Sequence, residues 1–136
     1  MLTLAIIKPD AVAAAKAGQV LAHLEQGGFT VRAARMIKLT TPQAEAFYSV
    51  HKDRPFFRSL VTFMTSGSCI PLVLEAENPV KKLRDAIGAT DPKEAAPGTI
   101  RALFAESKER NAIHASDSDE NAIREVAFFF TEAELA

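Results

Sequence analysis

Four short runs of strand-forming residues, separated by segments with helical spacing, constrain the fold of this chain more than any other feature. Each run is rich in apolar or β-branched side chains, which is typical of a buried strand. The runs extend over Thr3 to Ile7, Phe29 to Leu39, Ser68 to Glu75 and Asn111 to Ala115. Pro9 ends the first run, and Pro71 requires the third run to begin or bulge nearby, because proline cannot donate to a sheet ladder. Arg35 interrupts the apolar face of the second run, which favours an edge strand or a contact with another subunit.

The segments between these runs are predicted to be helical. Ala11 to Gln26 is rich in alanine, and Gly18 is predicted to mark a junction between two helical pieces. Thr41-Pro42 starts a helix that is expected to run to about His51. Phe56 to Thr65 has apolar residues at helical spacing and predicts a second helix. Together these two helices predict an αα-hairpin that walls a cleft.

The second half of the chain contains two more helices. Asn78-Pro79 starts the first of these, which ends at Gly88, whereas Ala89 to Gly98 lacks periodicity and predicts a long ordered loop. The other helix follows the last strand run, and Asp117 with Glu120 three positions later resembles a capping box for it. Its predicted buried stripe consists of Ala122, Ile123, Val126, Ala127 and Phe130.

The order of these elements predicts an α+β fold. Without the helical hairpin and the C-terminal helix, the remaining order is β-α-β-β-α-β, which is the ferredoxin-like arrangement. We therefore expect an antiparallel four-stranded sheet with helices packed on one face, plus the hairpin and the last helix. The chain has 136 residues and no linker or repeat, so residues 1–136 are expected to form a single domain.

Composition excludes several classes of protein. The net charge of −1 lacks the basic footprint of a nucleic-acid-binding protein. The longest apolar runs are too short to cross a bilayer, and the N-terminal run has no basic region ahead of it, as a signal peptide would. Cys69 is the one cysteine, which excludes an intrachain disulfide and argues against a thiolate metal cluster. These features favour a soluble, cytoplasmic protein.

Basic side chains are the candidates for binding phosphate, because the chain lacks the glycine-rich phosphate loops of P-loop proteins and protein kinases. Lys8 follows the first strand run, while Arg84 and Arg101 flank the long loop that carries the Thr90 hydroxyl. Converging cations would stabilise a transferring phosphoryl group. The alternative is a set of scattered basic residues, with Lys8 as an ordinary solvated lysine.

His114 is the candidate nucleophile. A neutral imidazole can attack phosphorus without a separate base and form a phosphohistidine. Ser116 and Glu125 are candidates to fix the tautomer and direction of the ring. The alternative is a histidine with a purely structural hydrogen bond at a strand end. A zinc site is a poor match because the three histidines are dispersed, and no nucleophile-elbow sequence supports a Ser-His-Asp hydrolase.

Six motifs, in their order and spacing, resemble those of the nucleoside diphosphate kinase family over essentially the whole chain. They are Ile7-Lys8-Pro9-Asp10, Tyr48 with His51 to Phe57, Met64 to Gly67, Gly88 to Pro92, Pro97 to Arg101, and Asn111 to Ser118. The short C-terminus is similar to that of bacterial members.

The resemblance implies a nucleotide phosphotransferase with a ping-pong mechanism, and hence a role in balancing nucleotide pools. His114 would be phosphorylated by a nucleoside triphosphate and would pass the phosphate to a nucleoside diphosphate. Tyr48, Ser116 and Glu125 would support the histidine. The nucleotide-binding set implied by the motifs is Lys8, Phe56, Arg84, Thr90, Arg101 and Asn111. From the residues alone, Phe56 is as readily a core aromatic as a platform for stacking on the base, and the resemblance favours stacking.

The resemblance also implies a cofactor and partners. Mg²⁺ would arrive on the nucleotide phosphates, with no dedicated protein ligands. ATP, GTP, other nucleoside tri- and diphosphates and their deoxy forms would be substrates. A homo-oligomer built from dimers is expected, with a tetramer favoured over a hexamer, and neither a membrane nor a nucleic acid is expected as a partner. The alternative function is a non-catalytic ferredoxin-like module for nucleotide binding or assembly.

Three positions depart from the family pattern. Ala115 and Ala11 stand where the family usually has glycine, which matters only where the backbone needs a positive φ. Lys108 stands where an apolar residue often packs on the other face of the base, and its aliphatic stem could still pack there. None of the three removes a predicted catalytic group.

Overall fold

A computed structural model describes all residues from 1 to 136, and its central feature is a four-stranded antiparallel sheet. The strands are β1 (Leu2–Ile7), β2 (Thr30–Ala34), β3 (Ile70–Glu75) and β4 (Ile113–Ala115). Their order across the sheet is β2-β3-β1-β4. This is the ferredoxin-like order, so the predicted α+β fold is confirmed.

Eight helices surround the sheet. They are α1 (Pro9–Ala13), α2 (Ala17–Gln26), α3 (Thr41–Phe47), α4 (Phe57–Met64), α5 (Pro79–Ile87), α6 (Ile100–Phe104), α7 (Asp119–Phe129) and α8 (Glu132–Leu135). A turn of 3-10 helix, Ser49–His51, connects α3 to the start of the hairpin loop. None of these helices has the length and apolar character needed to span a membrane.

Helices cover both faces of the sheet and form two separate cores. Leu4 and Ile6 of β1 belong to the core beneath α3, α4 and α7, whereas Ala5 and Ile7 belong to the core beneath α2, α5 and α6. Strands that are buried on both faces read as continuous apolar runs without alternation, which is how β1 and β3 appear in the sequence. The helical hairpin and the last helix thus pack on the face opposite the ferredoxin-like helices.

β2 is an edge strand, in agreement with the prediction from Arg35, but it is shorter than the run from Phe29 to Leu39. The register with β3 shifts between Val31 and Ala33, and the regular ladder ends at Ala34. Beyond β2, a hydrogen bond from the Arg35 amide to the Pro71 carbonyl and an isolated bridge between Ile37 and Cys69 still join this segment to its neighbour. Bulges are frequent at sheet edges, and this one makes the pairing of the predicted run irregular. The guanidinium of Arg35 contacts Glu134 and lies 4.9 Å from the centre of the Phe130 ring.

The break in the first helical segment does not occur at Gly18, so that prediction is wrong. The chain turns at Ala15, whose φ is 59°. The Lys16 amide donates to the Ala11 carbonyl, and the Ala15 amide donates to the Val12 carbonyl. This is a Schellman-type helix end with alanine at the position that glycine usually occupies, which hides it from sequence inspection.

Two predicted helix caps shift by one residue. Thr40, not Thr41, caps α3, in a capping box with Gln43. Ser118 caps α7 by accepting from the Asn121 amide, whereas Asp117 accepts from the Asn121 side chain. Neighbouring hydroxyls and carboxylates compete for a cap, and the sequence does not say which of them reaches the amide.

The predicted stripe of α7 is correct for three of its five residues. Ala122, Val126 and Phe130 are buried, but Ile123 is 74% exposed and Ala127 also faces outward. At 100° per residue, positions 123 and 127 lie on a different face from 122, 126 and 129. That geometry places the polar side chain of Glu125 on the buried side of the helix.

Candidate active site

A single large cleft of about 560 Å³ opens above β4, between the helical hairpin, the loop before β4, and α5, α6 and α7. It brings together nine of the ten side chains that the sequence singled out. These are Lys8, Tyr48, Phe56, Arg84, Thr90, Arg101, Asn111, His114 and Glu125. Ser116 is the tenth; it is fully buried and hydrogen-bonded to Glu125.

His114 lies on β4, with 18% of its side chain exposed. Its Nε2 is 2.8 Å from the Oε1 of Glu125, and its Nδ1 makes no hydrogen bond to the protein. Burial lowers the pKa of His114 below the ordinary value of 6.5, although Glu125 acts in the opposite direction. The ring is therefore neutral near pH 7. With Nε2 donating its proton to the carboxylate, Nδ1 keeps its lone pair.

Glu125 is held as a carboxylate behind the histidine. The Ser116 hydroxyl donates to its Oε1 at 2.7 Å, and the Arg124 guanidinium lies 3.6 Å from its Oε2. Burial alone would raise the pKa of Glu125, but the hydrogen bonds from His114 and Ser116 hold that pKa below its usual value. An ionised and buried carboxylate fixes the tautomer of the imidazole and can stabilise positive charge on it.

Two buried cations line the same cleft. Lys8 is only 7% exposed, and its Nζ donates to the Oδ1 of Asn111 at 2.8 Å. Arg101 donates to the carbonyls of Ile113 at 2.8 Å and of Gly88 at 3.2 Å. Burial lowers the pKa of Lys8 to about 8 and that of Arg101 to about 10, with a neighbouring arginine contributing in each case. The alternative of a solvated lysine is therefore wrong.

Three of the cations in the cleft have no carboxylate paired with them. Lys8 and Arg101 are buried and Arg84 lies beside them at the surface of α5, yet none of the three forms an ion pair. Buried charges are normally paired. Unpaired cations around a cleft therefore indicate a site for an anion of high charge.

Aromatic side chains also line the cleft. Phe56 is 43% exposed, so its alternative role as a core residue is wrong. The His51 ring lies 5.5 Å from the Phe56 ring, and the Arg54 guanidinium lies 5.8 Å from it. Tyr48 is buried edge-on to His114, and its hydroxyl has no hydrogen-bond partner. The cleft thus offers an exposed aromatic face together with cations and a histidine.

The departures from the family pattern fit this cleft without strain. Neither Ala11 nor Ala115 has a positive φ, so alanine carries no backbone penalty at these positions. The backbone in an unusual conformation near the histidine is instead that of Ala112, with φ 74°. Lys108 lines the cleft, as its place in the sequence suggested.

Sequence reasoning missed several side chains in and beside the cleft. Glu109 lines it and accepts a hydrogen bond from Ser59 of the helical hairpin. Asp117 and Arg124 also line it, near the start of α7. Glu109 and Asp117 each lie next to a residue that was singled out, which was the available signal. Asp10 is buried and belongs to the Ile7-Lys8-Pro9-Asp10 motif, but the sequence assigned it no role.

Comparison with known proteins gives one consistent family. The model of the nucleoside diphosphate kinase family matches residues 2–135. A nucleoside diphosphate kinase from Bordetella pertussis is 58% identical over 133 residues, which cover 98% of this chain and 94% of that protein. One from Desulfatibacillum aliphaticivorans is 53% identical over 134 residues, which cover 98% and 97%.

Solved structures agree with the sequence comparison. The Aquifex aeolicus nucleoside diphosphate kinase superposes with a TM-score of 0.97 at 46% identity, covering 99% of this chain and 98% of that one. The Halobacterium salinarum enzyme, solved in complex with CDP, superposes with a TM-score of 0.95 at 35% identity, covering 100% and 91%.

Proposed function

Because the chain belongs to the nucleoside diphosphate kinase family, it transfers the terminal phosphate of a nucleoside triphosphate to a nucleoside diphosphate, and we propose that His114 carries that phosphate between the two substrates. The observation that carries the proposal is the hydrogen bond between the Nε2 of His114 and Glu125. It leaves the Nδ1 of His114 without a partner in a cleft that cations line. The alternative, a non-catalytic nucleotide-binding or assembly module, is not favoured.

The chemical step balances with His114 alone as nucleophile. The lone pair on Nδ1 attacks the terminal phosphorus, an N–P bond forms, and the P–O bond to the leaving diphosphate breaks with its electron pair on oxygen. The imidazole becomes positively charged, and Glu125 stabilises that charge through Nε2–H. A second nucleoside diphosphate reverses these steps and leaves as the triphosphate.

The cations supply the electrostatic part of the catalysis. Lys8, Arg84 and Arg101 line the cleft, the first and last of them buried, and would neutralise charge on the transferring and leaving phosphates. The Thr90 hydroxyl and the Asn111 amide would add hydrogen bonds. Asn111 itself is held by Lys8 and by the Lys108 carbonyl, to which its amide nitrogen donates at 2.8 Å.

Magnesium fits this site as part of the nucleotide substrate. No group of three or more histidine, cysteine, aspartate or glutamate side chains lies together to hold a metal ion. Three carboxylates line the cleft: Glu125 bonds to His114, Glu109 accepts from Ser59 of the hairpin, and Asp117 accepts from the side chain of Asn121. A Mg²⁺ ion that arrives with the nucleotide would neutralise part of its charge.

Two-substrate kinetics test the shuttle through the enzyme. If His114 holds the phosphate between two half-reactions, double-reciprocal plots at several fixed acceptor concentrations should give parallel lines. Direct transfer between two nucleotides bound together would give intersecting lines. That result would exclude the phosphohistidine route while leaving the overall activity intact.

The pH profile of kcat/KM should be bell-shaped. On the acid side, activity falls as the pH drops through the pKa of His114, which lies below 6.5, because the protonated ring has lost its lone pair. On the alkaline side, activity falls as the pH rises through about 8, because Lys8 loses its charge. A profile that stays flat well above 8 would contradict the role of Lys8.

Replacing Phe56 by alanine should weaken nucleotide binding more than it destabilises the fold. A side chain that is 43% exposed contributes little to the core. Stacking of a base on an aromatic ring is worth about 1 to 3 kcal/mol, which predicts a nucleotide Kd raised roughly 5- to 150-fold. Isothermal titration with a nucleoside diphosphate and a thermal melt measure the two effects. A large loss of stability with unchanged affinity would assign Phe56 to the core.

Stacking on Phe56 would recognise the face of a base and not its edge, which would allow a broad substrate range. We infer that ATP, GTP, the other nucleoside tri- and diphosphates and the deoxy forms all enter the same cleft. A cytoplasmic location follows from where these substrates are made and used. Residues 1–136 are proposed to act as one domain, a unit supported by the one sheet that joins both cores.

We further propose a homo-oligomer built from dimers, with a tetramer favoured over a hexamer. The support from the fold is that β2 lies at the edge of the sheet and leaves one side of its backbone unpaired. Met36, just beyond that strand, is 60% exposed. Sedimentation velocity distinguishes a monomer, a dimer, a tetramer and a hexamer.

A further inference from the structure

We propose that Asp10 is a positioning residue for phosphate transfer, which holds the strained turn ahead of His114 and keeps a carboxylate two residues along the chain from Lys8. The inference rests on the proposed role of His114. It assigns a function to a buried carboxylate that makes no contact with the histidine itself.

The turn in question is centred on Ala112. The Ile113 amide donates to the Asn111 carbonyl at 2.9 Å, and the φ of Ala112 is 74°. This i to i+2 hydrogen bond with a positive central φ is a γ-turn of the rare, strained kind. Such a turn persists only where its surroundings enforce it, and it lies between Asn111 in the cleft and His114 on β4.

The segment from Lys8 to Asp10 clamps this turn at three points. The Ala112 amide donates to the Oδ2 of Asp10 at 3.0 Å. The Lys8 amide donates to the Ala112 carbonyl at 2.8 Å, and the Lys8 ammonium donates to the Oδ1 of Asn111 at 2.8 Å. Asp10 thus supplies the one side-chain acceptor for the amide of the strained residue. Loss of that acceptor would free the turn and move the groups on either side of it.

The buried carboxylate of Asp10 has fewer hydrogen bonds than a purely structural role would require. It is 4% exposed, and its Oδ1 has no hydrogen-bond partner. It borders a small cavity of about 90 Å³ that Ser66 and Arg110 also line. Burial raises the pKa of Asp10, so folding acts against its charge. The charge that folding disfavours on Asp10 in turn favours the charge on Lys8.

Charged groups from several elements change the pKa of the Lys8 ammonium. Arg101 of α6 opposes its charge, whereas Asp10 of α1 and Glu109 of the loop before β4 favour it. His114 on β4 is neutral near pH 7, and Arg110 interacts with Asp10 from the loop. Removing the charge of Asp10 therefore lowers the pH at which Lys8 loses its proton.

Two variants separate the acceptor from the charge. Asp10→Asn keeps an oxygen for the Ala112 amide but removes the charge, whereas Asp10→Ala removes both. For Asp10→Asn we expect a melting temperature equal to or above that of the wild type, with the alkaline limb of kcat/KM moved to lower pH. For Asp10→Ala we expect kcat to fall roughly 10- to 100-fold with a much smaller change in KM, because the turn and the histidine lose their alignment.

Asp85→Asn is the matched control, because Asp85 is exposed on α5 and pairs only with Lys81. It should shift neither the alkaline limb nor kcat. The inference is overturned if Asp10→Asn leaves the alkaline limb in place, if Asp10→Asn is less stable than the wild type, or if Asp10→Ala keeps its kcat. A wild-type chain that never becomes phosphorylated would instead refute the proposed function, so the two failures are distinguishable.

Discussion

Replacing His114 by alanine is expected to lower the rate of phosphate transfer on the order of 10,000-fold or more, because no other side chain in the cleft can take its place as nucleophile. Asp117 and Glu109 are carboxylates that line the cleft. Neither has a base beside it, and neither is paired with Glu125, which the Ser116 hydroxyl holds behind His114. A coupled assay of nucleoside triphosphate formation measures the loss.

Folding and nucleotide binding must survive in the His114→Ala variant for the result to count. The change leaves Glu125 without one of its hydrogen bonds, which is expected to cost about 1 to 3 kcal/mol of unfolding free energy. Nucleotide affinity should stay within a few fold of the wild type. His23→Ala is the matched control, since His23 bonds the Gly98 carbonyl away from the cleft and should leave the rate unchanged. Transfer within about 100-fold of the wild type in His114→Ala would contradict the assignment.

Replacing Lys8 by methionine is expected to lower kcat/KM by about 100- to 1,000-fold without lowering stability. Methionine has nearly the same shape but no charge, so a preorganised cation is lost from the transferring phosphate. The fold, however, disfavours that cation. The pKa of Lys8 is about 8 in the folded chain against an ordinary 10.5, a penalty on the order of 3 kcal/mol that methionine does not carry.

The gain in unfolding free energy expected for Lys8→Met depends on pH. The penalty on charged Lys8 is fully present below a pH of about 8 and fades as the pH rises towards 10.5. Leaving the Asn111 oxygen unpaired offsets part of the gain, by about 1 to 3 kcal/mol. Urea unfolding at neutral pH should therefore give a free energy equal to or above that of the wild type, with the difference shrinking in alkaline buffer.

Lys38→Met is the control for the lysine variant, because Lys38 is exposed between β2 and α3. It should change neither kcat/KM nor stability by much. If Lys8→Met unfolds far more easily than the wild type, Lys8 serves the fold. If it keeps its activity, the charge of Lys8 has no part in transfer.

The sequence predicted the order of the elements because apolar runs and helical spacing are local signals. It was wrong where the outcome depends on tertiary competition. β2 covers only part of its predicted run and contains a bulge between Val31 and Ala33, and the first helical break falls at Ala15, an alanine in the left-handed conformation that the sequence does not mark. Ile123 reads as part of a buried stripe, yet it lies on the outer face of α7.

In the candidate site, too, local features could be predicted from the sequence, whereas features that depend on tertiary contacts could not. His114 and Lys8 could be selected by residue type and by their place at strand ends. Glu125 could be selected as a carboxylate that projects back from the final helix, but its place on the buried face was not predicted. The burial of Lys8 and Arg101 could not be foreseen, since they approach each other only after the sheet pairs β1 with β4. Asp10 was missed for the same reason, because its partner Ala112 is 102 positions away in the chain.

The most direct test is isolation of the phosphorylated enzyme. The wild-type protein is incubated with ATP labelled in its terminal phosphate, freed of nucleotide, and divided between acid and alkali before the bound label is counted. A phosphohistidine predicts label that survives alkali, is lost in acid, transfers to added nucleoside diphosphate, and is absent from His114→Ala. A wild-type chain that transfers phosphate but takes up no label, or a His114→Ala chain labelled like the wild type, would contradict the account.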